Sequence, residues 1–448
     1  MSQDRERIHY LAVGGEMSYV PSDMTDTIRM KDRRSFSELK NGLTAKVQSL
    51  LALPNPEMDV VQSVQRMLTR VNLAWALDNH LVTSKDLDDP LLTRIDAGEV
   101  EIFLTNSPGV IGRIIVTPIF GQNLNPTQWS EYIDKIWIEI FSSSLFKNVT
   151  GINLNRSGVC EEALECLAAN ANIEALDFSG CQMGDKLIQT LVKMPSLRTL
   201  TLHHNRLTPD GIKNLAVLTN LINLDLSWND VDDSTLLSLI GLENLEYLNL
   251  SNLNSSGRTI STEGVDHLSQ LSKLKFLDLS YNRQIGNLTS NQLSTLSNLV
   301  WLNLSANDLS FEGVSDFSLL INLKALLLNS NHIGMEGARV IGELTDLTRL
   351  ELHGNAICSE GAQSLSKLKN LRVLDLSVNE IGDVGAEVVA GFKNLRKLSL
   401  NNNYITREGV ENFPQLFSLE ELSIRANSLG DYGAALLKKM IGLKKLEI

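Results

Sequence analysis

The stretch from Leu371 to Asn394 reads LRVLDLSVNEIGDVGAEVVAGFKN, and the chain returns to the same phrase at a fixed interval. The leucines that open each phrase lie 24 residues apart, at Leu323, Leu347, Leu371, Leu395, Leu419 and Leu443. Less regular openings precede them at Val149, Ile173, Leu197, Leu221, Leu245, Leu274 and Leu299. A fixed period in this range predicts a solenoid over 149–448, with twelve turns and a partial thirteenth.

Two periodicities alternate within each turn of the repeat. The opening LxxLxL has the alternation of a half-buried strand, whereas the later GxxGAxxLxxL spaces its apolar residues as a helix does. A single strand-and-helix turn cannot bury its apolar edge, so neighbouring turns must stack. The pattern predicts an α/β solenoid with a concave parallel β-sheet and convex helices.

The corner after each strand is almost always asparagine: Asn205, Asn229, Asn282, Asn307, Asn331, Asn355, Asn379, Asn403 and Asn427. A buried amide at this corner is expected to satisfy backbone groups of its own turn and of the adjacent turn. Cys181 takes the place as a tolerated substitute, whereas Ser157 and Leu253 break the pattern. We expect an atypical first turn and a local distortion at Leu253.

The phrase L-x-x-L-x-L-x-x-N-x-L resembles the leucine-rich repeat, and the turn is similar to those of the ribonuclease-inhibitor-like class. This resemblance implies a horseshoe that serves as a protein-binding surface. The uncapped, cysteine-poor, 24-residue turns also resemble leucine-rich-repeat effector proteins of intracellular bacterial pathogens. That resemblance implies a host protein as partner and delivery into the host cytosol by a specialised secretion system.

Composition narrows the class of partner. The formal net charge of −13 argues against a nucleic-acid partner and against an anionic membrane surface. No run approaches the ~20 apolar residues of a membrane-spanning helix, so no membrane insertion is expected. The N-terminal residues also lack the apolar core of a secretory signal.

Cysteine usage indicates a reducing, cytoplasmic compartment. The four cysteines form no paired framework of the kind that caps extracellular repeats. Cys160, Cys166 and Cys181 have no CxxC spacing and no paired histidine, so we predict neither a metal site nor a cofactor.

Residues 1–148 do not follow the repeat and are predicted to form a small α+β or mostly helical N-terminal head. Helices are expected at about 36–52 and 59–81, and strands at 99–104 and 111–119 form a plausible hairpin. The amphipathic segment 126–146 is expected to be a helix that caps the open end of the solenoid.

Two other functions remain open for the head. It contains no cysteine, and its two histidines, His9 and His80, are far apart, so no catalytic constellation is visible and we predict a non-enzyme. An unfamiliar active site in 1–148 remains the enzyme alternative. Leu53-Pro54 with Glu57 and Leu68 resembles part of an F-box, which implies an adaptor for a ubiquitin ligase.

Aromatic residues concentrate on the predicted concave face, where Tyr247, Phe276 and Trp301 hold the same place in three consecutive turns, so their rings are expected to lie side by side. We predict a protein-binding site that comprises Trp228, Tyr247, Phe276, Tyr281, Trp301 and Leu327, with His204, Asp225 and Arg349 in a polar rim. The alternative is that these rings only shield the sheet. Longer turns after Leu245 and Leu274 add loops in the same region, which either form a lip over the site or are neutral insertions.

The last turn is incomplete and presents an edge strand. Lys444, Lys445 and Glu447 are expected to oppose edge pairing, whereas Leu443, Leu446 and Ile448 offer an apolar contact. We therefore expect a monomer or a weak dimer.

Overall fold

A computed structural model describes residues 100–104, 110–116, 126–143, 146, 149–252 and 260–448. The predicted helices at 36–52 and 59–81 and the F-box-like segment lie outside these residues. The chain divides into two compact units, Met1–Asn205 and Arg206–Ile448.

The first unit contains five described strands and three described helices. The strands are β1 Val100–Leu104, β2 Val110–Val116, β3 Gly151–Asn153, β4 Ala175–Asp177 and β5 Thr199–Thr201. The helices are α1 Pro126–Ser142, α2 Glu161–Ala168 and α3 Lys186–Leu191. β1 and β2 pair antiparallel, which confirms the predicted hairpin, and β2 to β5 then pair in parallel and in sequence order.

Helix α1 lies beside α2 in the helical layer. It ends at Ser142, four residues before the predicted end at Phe146, and its predicted apolar face is buried at Ile136, Trp137 and Ile140. Because β2 pairs in parallel with β3, the β2–α1–β3 segment is a crossover unit that joins the predicted head to the first repeat. The division at 148 and the capping role of this helix stay predictions.

Ten three-residue strands lie in the described residues of the second unit. They are β6 Asn223–Asp225, β7 Tyr247–Asn249, β8 Phe276–Asp278, β9 Trp301–Asn303, β10 Ala325–Leu327, β11 Arg349–Glu351, β12 Val373–Asp375, β13 Lys397–Ser399, β14 Glu421–Ser423 and β15 Lys445–Glu447. Each pairs in parallel with the next in sequence order. Equivalent residues of neighbouring turns are therefore neighbours in the sheet.

Short helices return the chain between these strands. The α-helices are α4 Pro209–Ile212, α5 Asp233–Leu239, α6 Thr262–Leu268, α7 Ser290–Ser294, α8 Gly334–Ile341, α9 Cys358–Ser364, α10 Gly382–Val389 and α11 Gly430–Leu437. The 3-10 helices are Lys213–Val217, Asn287–Thr289, Phe311–Val314, Phe317–Leu319, Leu365–Lys367, Glu408–Val410 and Phe413–Gln415. The predicted α/β solenoid of strand-and-helix turns is confirmed within each unit. No helix among the described residues has the length and apolarity needed to cross a membrane.

The helical glycine permits close stacking of the turns. A Cβ atom on Gly361 would lie 2.7 Å from the Ile357 side chain and 3.1 Å from the Cα of Met335 in the preceding turn. The first distance is shorter than real Cβ contacts and the second is tighter than most of them, so glycine permits the close approach of the turns at this position.

The corner asparagines form the predicted ladder. Asn331 Nδ2 donates to the carbonyl oxygens of Leu304 and Leu328, each at 2.9 Å. Its Oδ1 accepts from the backbone N–H groups of Asn307 and Leu309, each at 3.0 Å. One buried side chain thus satisfies four backbone groups in two turns.

Cys181 joins the same ladder as a weaker member. Its backbone N–H donates to Asn205 Oδ1 at 3.0 Å, and its thiol donates to the Leu154 carbonyl, with Sγ 3.3 Å from the oxygen. The thiol supplies a donor but no amide oxygen, which explains why it is a partial substitute. Leu253, where a distortion was expected, lies outside the described residues.

A second asparagine ladder precedes the strands, and the sequence reading missed it. The residue just before the opening leucine donates from Nδ2 to a backbone carbonyl one turn earlier, at 2.8 to 3.0 Å, in Asn244, Asn298, Asn322, Asn370 and Asn394. At β9, β10, β12 and β13, where both ladders are present, they hold the backbone at both ends of the strand.

Candidate functional site

Tyr247, Phe276 and Trp301 open three successive strands and stack face to face. The ring centroids of Tyr247 and Phe276 are 4.2 Å apart with 13° between the planes. Those of Phe276 and Trp301 are 3.8 Å apart with 8° between the planes. The expectation that these rings lie side by side is confirmed, and we name this row of three the ring stack.

Trp228 and Tyr281 lie just after β6 and β8 and remain 43% exposed each. Their φ angles are 58° and 64°, in the left-handed region that bulky residues seldom occupy. The equivalent residue of another turn is Gly354, for which this conformation is unstrained. The fold therefore imposes the conformation, and these two turns place large aromatic side chains in it. Together with the ring stack, Trp228 and Tyr281 form what we call the aromatic surface.

A row of carboxylates and amides runs beside the ring stack, at the third residue of each strand. Asp225 Oδ1 accepts from the backbone N–H and the hydroxyl of Ser227, at 2.9 Å and 2.5 Å. Its Oδ2 accepts from Asn249 Nδ2 at 3.1 Å. In the same way, Asn303 Nδ2 donates to Asp278 Oδ2 at 3.0 Å. Alternation of acid and amide lets each carboxylate find a donor on the next strand.

Burial dominates the electrostatics of this row. It raises the pKa of Asp225 to about 6, against the stabilising hydrogen bonds from Ser227, and it also raises the pKa of Asp278. Burial, with the two nearby carboxylates, raises the pKa of Tyr247 well above its usual value. Among the described residues, neither carboxylate has an ion-pair partner. Deprotonation of either carboxylate therefore leaves a negative charge in the floor beside the ring stack.

The remaining predicted site residues of this unit differ in exposure. Leu327, in the row of third residues, is 8% exposed and contributes to the floor. Asp225, predicted as part of a polar rim, is 6% exposed and also belongs to the floor. Arg349 donates from Nε and Nη2 to Glu351 Oε1, at 2.9 Å and 2.5 Å, and forms a charged boundary two strands beyond Trp301.

His204 belongs to the first unit, where its ring lies 6.0 Å from that of His203 at a tilt of 37°. Burial lowers the pKa of His203, and the neighbouring His204 and Arg156 add to this effect. Membership of His204 in the predicted site stays a prediction. The predicted lip at 254–259 lies outside the described residues.

No catalytic arrangement is visible in the part of the chain that the structure describes. No group of three or more His, Cys, Asp or Glu side chains there is placed to hold a metal ion. All four cysteines are free, and burial raises the pKa of the Cys160 and Cys181 thiols, which opposes nucleophilic character.

Sequence reasoning missed the pairing of Asn249 with Asp225 and of Asn303 with Asp278. The signal is present as alternating Asp-x-Ser and Asn-x-Ser in successive turns. It can be read once equivalent positions are known to be hydrogen-bonded neighbours.

Comparisons with known proteins agree with the repeat fold. Two family models described as leucine rich repeat match the chain, one over 345–405 and 369–429 and the other over 169–186 and 193–216. Keratocan from Danio rerio is 29% identical over 212 residues, which are 41% of this chain and 59% of keratocan. Toll-like receptor 3 from Boselaphus tragocamelus is 26% identical over 243 residues, which are 51% of this chain and 26% of the receptor. The matched part of the chain thus spans less than two thirds of either relative.

The solved structures include an internalin from Listeria monocytogenes. It is 21% identical, has a TM-score of 0.52, and the alignment covers 71% of this chain and 94% of the internalin. At this identity the likeness concerns the fold. The matched repeats, the parallel register of the strands and the asparagine ladder show that the repeats have the fold of a leucine-rich-repeat solenoid.

Proposed function

We propose that the chain is a protein-interaction module that binds a partner protein at the aromatic surface. The observation that carries this proposal is the pair Trp228 and Tyr281, each 43% exposed and each held at a positive φ. A large aromatic residue at a positive φ lowers the stability of the fold. A ring that faces water buries little apolar surface and therefore offsets little of this loss. Tryptophan and tyrosine are also the side chains most enriched in interface hot spots.

The ring stack supports the proposal because it is rigid before any partner arrives. Each ring is held by its neighbour and by a strand that is hydrogen-bonded on both sides. Side chains that are already ordered lose little conformational entropy on binding. Buried Leu327 and Asp225 form the floor, and the Arg349–Glu351 pair forms one polar boundary.

The finer part of the proposal concerns the class of partner and the compartment. We propose a host protein as partner, and an effector delivered into the host cytosol, on the resemblance of the uncapped 24-residue turns to effector repeats. A bacterial internalin with the same fold is compatible with this origin. The four free cysteines are compatible with a reducing cytoplasm. We propose that the chain acts as a monomer or a weak dimer and has no enzymatic activity.

The test is affinity capture from eukaryotic cell lysate with quantitative mass spectrometry. The variant Trp228→Ala/Phe276→Ala/Trp301→Ala is compared with the full wild-type chain. A matched control, Val217→Ala/Leu319→Ala/Tyr432→Ala, removes three side chains that are 60% to 63% exposed and lie in helices rather than on the strands. Circular dichroism and thermal melting establish that both variants are folded.

The expected result is one protein captured by wild type and control and lost with the strand-face variant. The captured protein, once purified, should bind the wild-type chain at least tenfold more tightly than it binds the strand-face variant. Equal capture by all three proteins would overturn the assignment of the aromatic surface. Absence of any eukaryotic protein captured by the wild-type chain would overturn the host partner and the effector role.

A further inference from the structure

A second surface lies in the second unit, at the opposite ends of the strands from Trp228 and Tyr281. It is a groove of about 690 Å³ formed by residues that precede strands β10 to β15. Five strand spacings give it a length of roughly 24 Å. Its charged lining consists of Lys324, Arg372, Arg396 and Lys444, with Asp346 and Glu420. Cations thus outnumber carboxylates two to one here, in a chain whose net charge is −13.

Both ends of the groove are neutralised internally. Lys324 Nζ lies 2.6 Å from Asp346 Oδ2, and Lys444 Nζ lies 2.6 Å from Glu420 Oε2. Arg396 Nη1 is 4.0 Å from Glu420 Oε1, at the limit of an ion pair. The excess positive charge therefore resides in the middle, at Arg372 and Arg396.

These two arginines are direct neighbours across the sheet. The backbone N–H of Arg396 donates to the Arg372 carbonyl at 2.8 Å, and the next residues, Val373 and Lys397, are in register. Like charges on adjacent strands repel, so the pair costs stability when nothing lies between them. Among the described residues, Arg372 has no carboxylate partner. A planar guanidinium with free N–H groups binds a carboxylate with two parallel hydrogen bonds.

The walls of the groove are already fixed. The amide nitrogens of Asn370 and Asn394 are held by the second ladder, on Thr345 and Lys369 carbonyl oxygens at 3.0 Å and 2.9 Å. Near one end, Phe417 is 78% exposed and offers an apolar contact inside the same groove. A ligand would therefore meet a preformed slot with positive charge at its centre and one aromatic ring near its end.

We propose that this groove binds an extended acidic segment of a protein, with carboxylates of the segment on Arg372 and Arg396. A strand advances about 3.3 Å per residue, so the groove accommodates about seven residues. The two arginines select a ligand of negative charge. The exposed ring of Phe417 favours a peptide, which can supply an apolar side chain, over a uniformly charged polymer. This site is separate from the aromatic surface and does not depend on it.

The probe is a fluorescein-labelled peptide of six glutamates followed by one leucine, titrated with the full chain and followed by fluorescence anisotropy. The test variant is Arg372→Glu/Arg396→Glu. The control, Arg198→Glu/Lys275→Glu, makes the same change of charge at equivalent positions of turns outside the groove. Phe417→Ala separates the apolar contact from the charge. Thermal melting establishes that every variant is folded.

The expected result is at least tenfold weaker binding for the groove variant and a change below twofold for the control. Phe417→Ala should weaken binding of this peptide but not of a hexaglutamate without the leucine. Equal weakening by groove variant and control would show that net charge alone attracts the peptide and would overturn the site. Stronger competition by tripolyphosphate than by unlabelled peptide would overturn the peptide class, and absence of binding at 1 mM would overturn the proposal. None of these outcomes bears on the aromatic surface.

Discussion

Trp301 lies against Phe276 with ring centroids 3.8 Å apart and planes 8° from parallel, while the other face of Phe276 is covered by Tyr247. Phe276 is thus the central member of a stack, although each of the three rings comes from a different turn. The stack couples side-chain packing to the register of three parallel strands. Phe276, the middle ring, should therefore contribute most of the stability that the stack provides.

Replacement of this middle ring tests the coupling. Phe276→Ala removes ring contacts on both faces and should lower the free energy of unfolding by about 2 kcal/mol. It should also change the fluorescence of Trp301, whose covered face becomes open to water. Urea unfolding monitored by circular dichroism measures the first effect. The control Phe417→Ala removes a ring that is 78% exposed and should change stability by less than about 0.5 kcal/mol; equal effects would contradict the prediction.

The buried Asp225 should make stability depend on pH in a direction opposite to that of a salt-bridged acid. Its pKa is about 6 in the folded chain against an ordinary value of 3.8, so the folded state holds the proton more tightly. Its contribution is then fully present below pH 4 and is lost as pH rises to 6, by about 3 kcal/mol at most. Asp278, whose pKa burial also raises, adds to the same trend.

Unfolding measured between pH 4 and pH 7 checks this, with Asp225→Asn as the test variant. Its stability should fall less steeply with pH than that of wild type. Asp375→Asn removes an equivalent carboxylate that is hydrogen-bonded to the Ser377 backbone N–H, and it should keep the wild-type slope because Asp225 and Asp278 remain. A variant of Asp225 with an unchanged slope would show that this carboxylate is not the titrating group.

The corner ladder predicts a graded response at Asn331. Asn331→Ala leaves the Leu304 carbonyl and the Asn307 and Leu309 N–H groups without their partner, whereas the Leu328 carbonyl keeps Asn355 Nδ2, and it should cost about 3 kcal/mol. Asn331→Cys should cost less, because the thiol can donate to a carbonyl as Cys181 does to Leu154. Equilibrium unfolding of the three proteins gives the order. Equal losses for alanine and cysteine would show that the thiol contact contributes nothing.

The left-handed position predicts a trade between stability and binding. Tyr281→Gly relieves a positive φ of 64° and should leave the free energy of unfolding unchanged or up to about 1 kcal/mol higher, while it weakens partner binding. The reciprocal change, Gly354→Ala, would place its Cβ in ordinary van der Waals contact, 4.0 Å from the Ser330 Cα, but imposes the same φ of 64° on alanine, and should cost about 1 kcal/mol. Thermal melting decides both. A loss above about 1 kcal/mol for Tyr281→Gly would mean that the ring stabilises the fold itself.

The repeat period and its two internal patterns were sufficient to predict the solenoid, the strands and the corner ladder. Each of these depends on contacts between equivalent residues one period apart, and the spacing of those residues can be read directly from the sequence. The neighbouring rings of Tyr247, Phe276 and Trp301 were predictable for the same reason. The face of the sheet on which these three rings lie, and their order along it, could therefore be predicted from the strand register alone.

Other features depend on three-dimensional detail that spacing does not encode. Asp225 was expected in a polar rim, but its hydrogen bonds to Ser227 and Asn249 draw it into the floor. The hydrogen-bonded ladder through Asn370 and Asn394 was not predicted, because an asparagine before a leucine is also common in an ordinary turn. The groove around Arg372 and Arg396 requires knowledge of which charges are already paired, and this emerges only from side-chain positions.

The hydrogen bonds of the corner asparagine give the array a direction. Three of the backbone groups that Asn331 bonds, those of Leu304, Asn307 and Leu309, belong to the turn before it, whereas Leu328 and, at 3.4 Å, Asn329 belong to its own turn. Each turn is thus completed by the one that follows it in the chain. Loss of a later turn orphans backbone groups in its predecessor, whereas loss of an earlier turn frees mainly a side chain. Growth and fraying of the solenoid should accordingly differ between its two directions, even though every turn repeats the same letters.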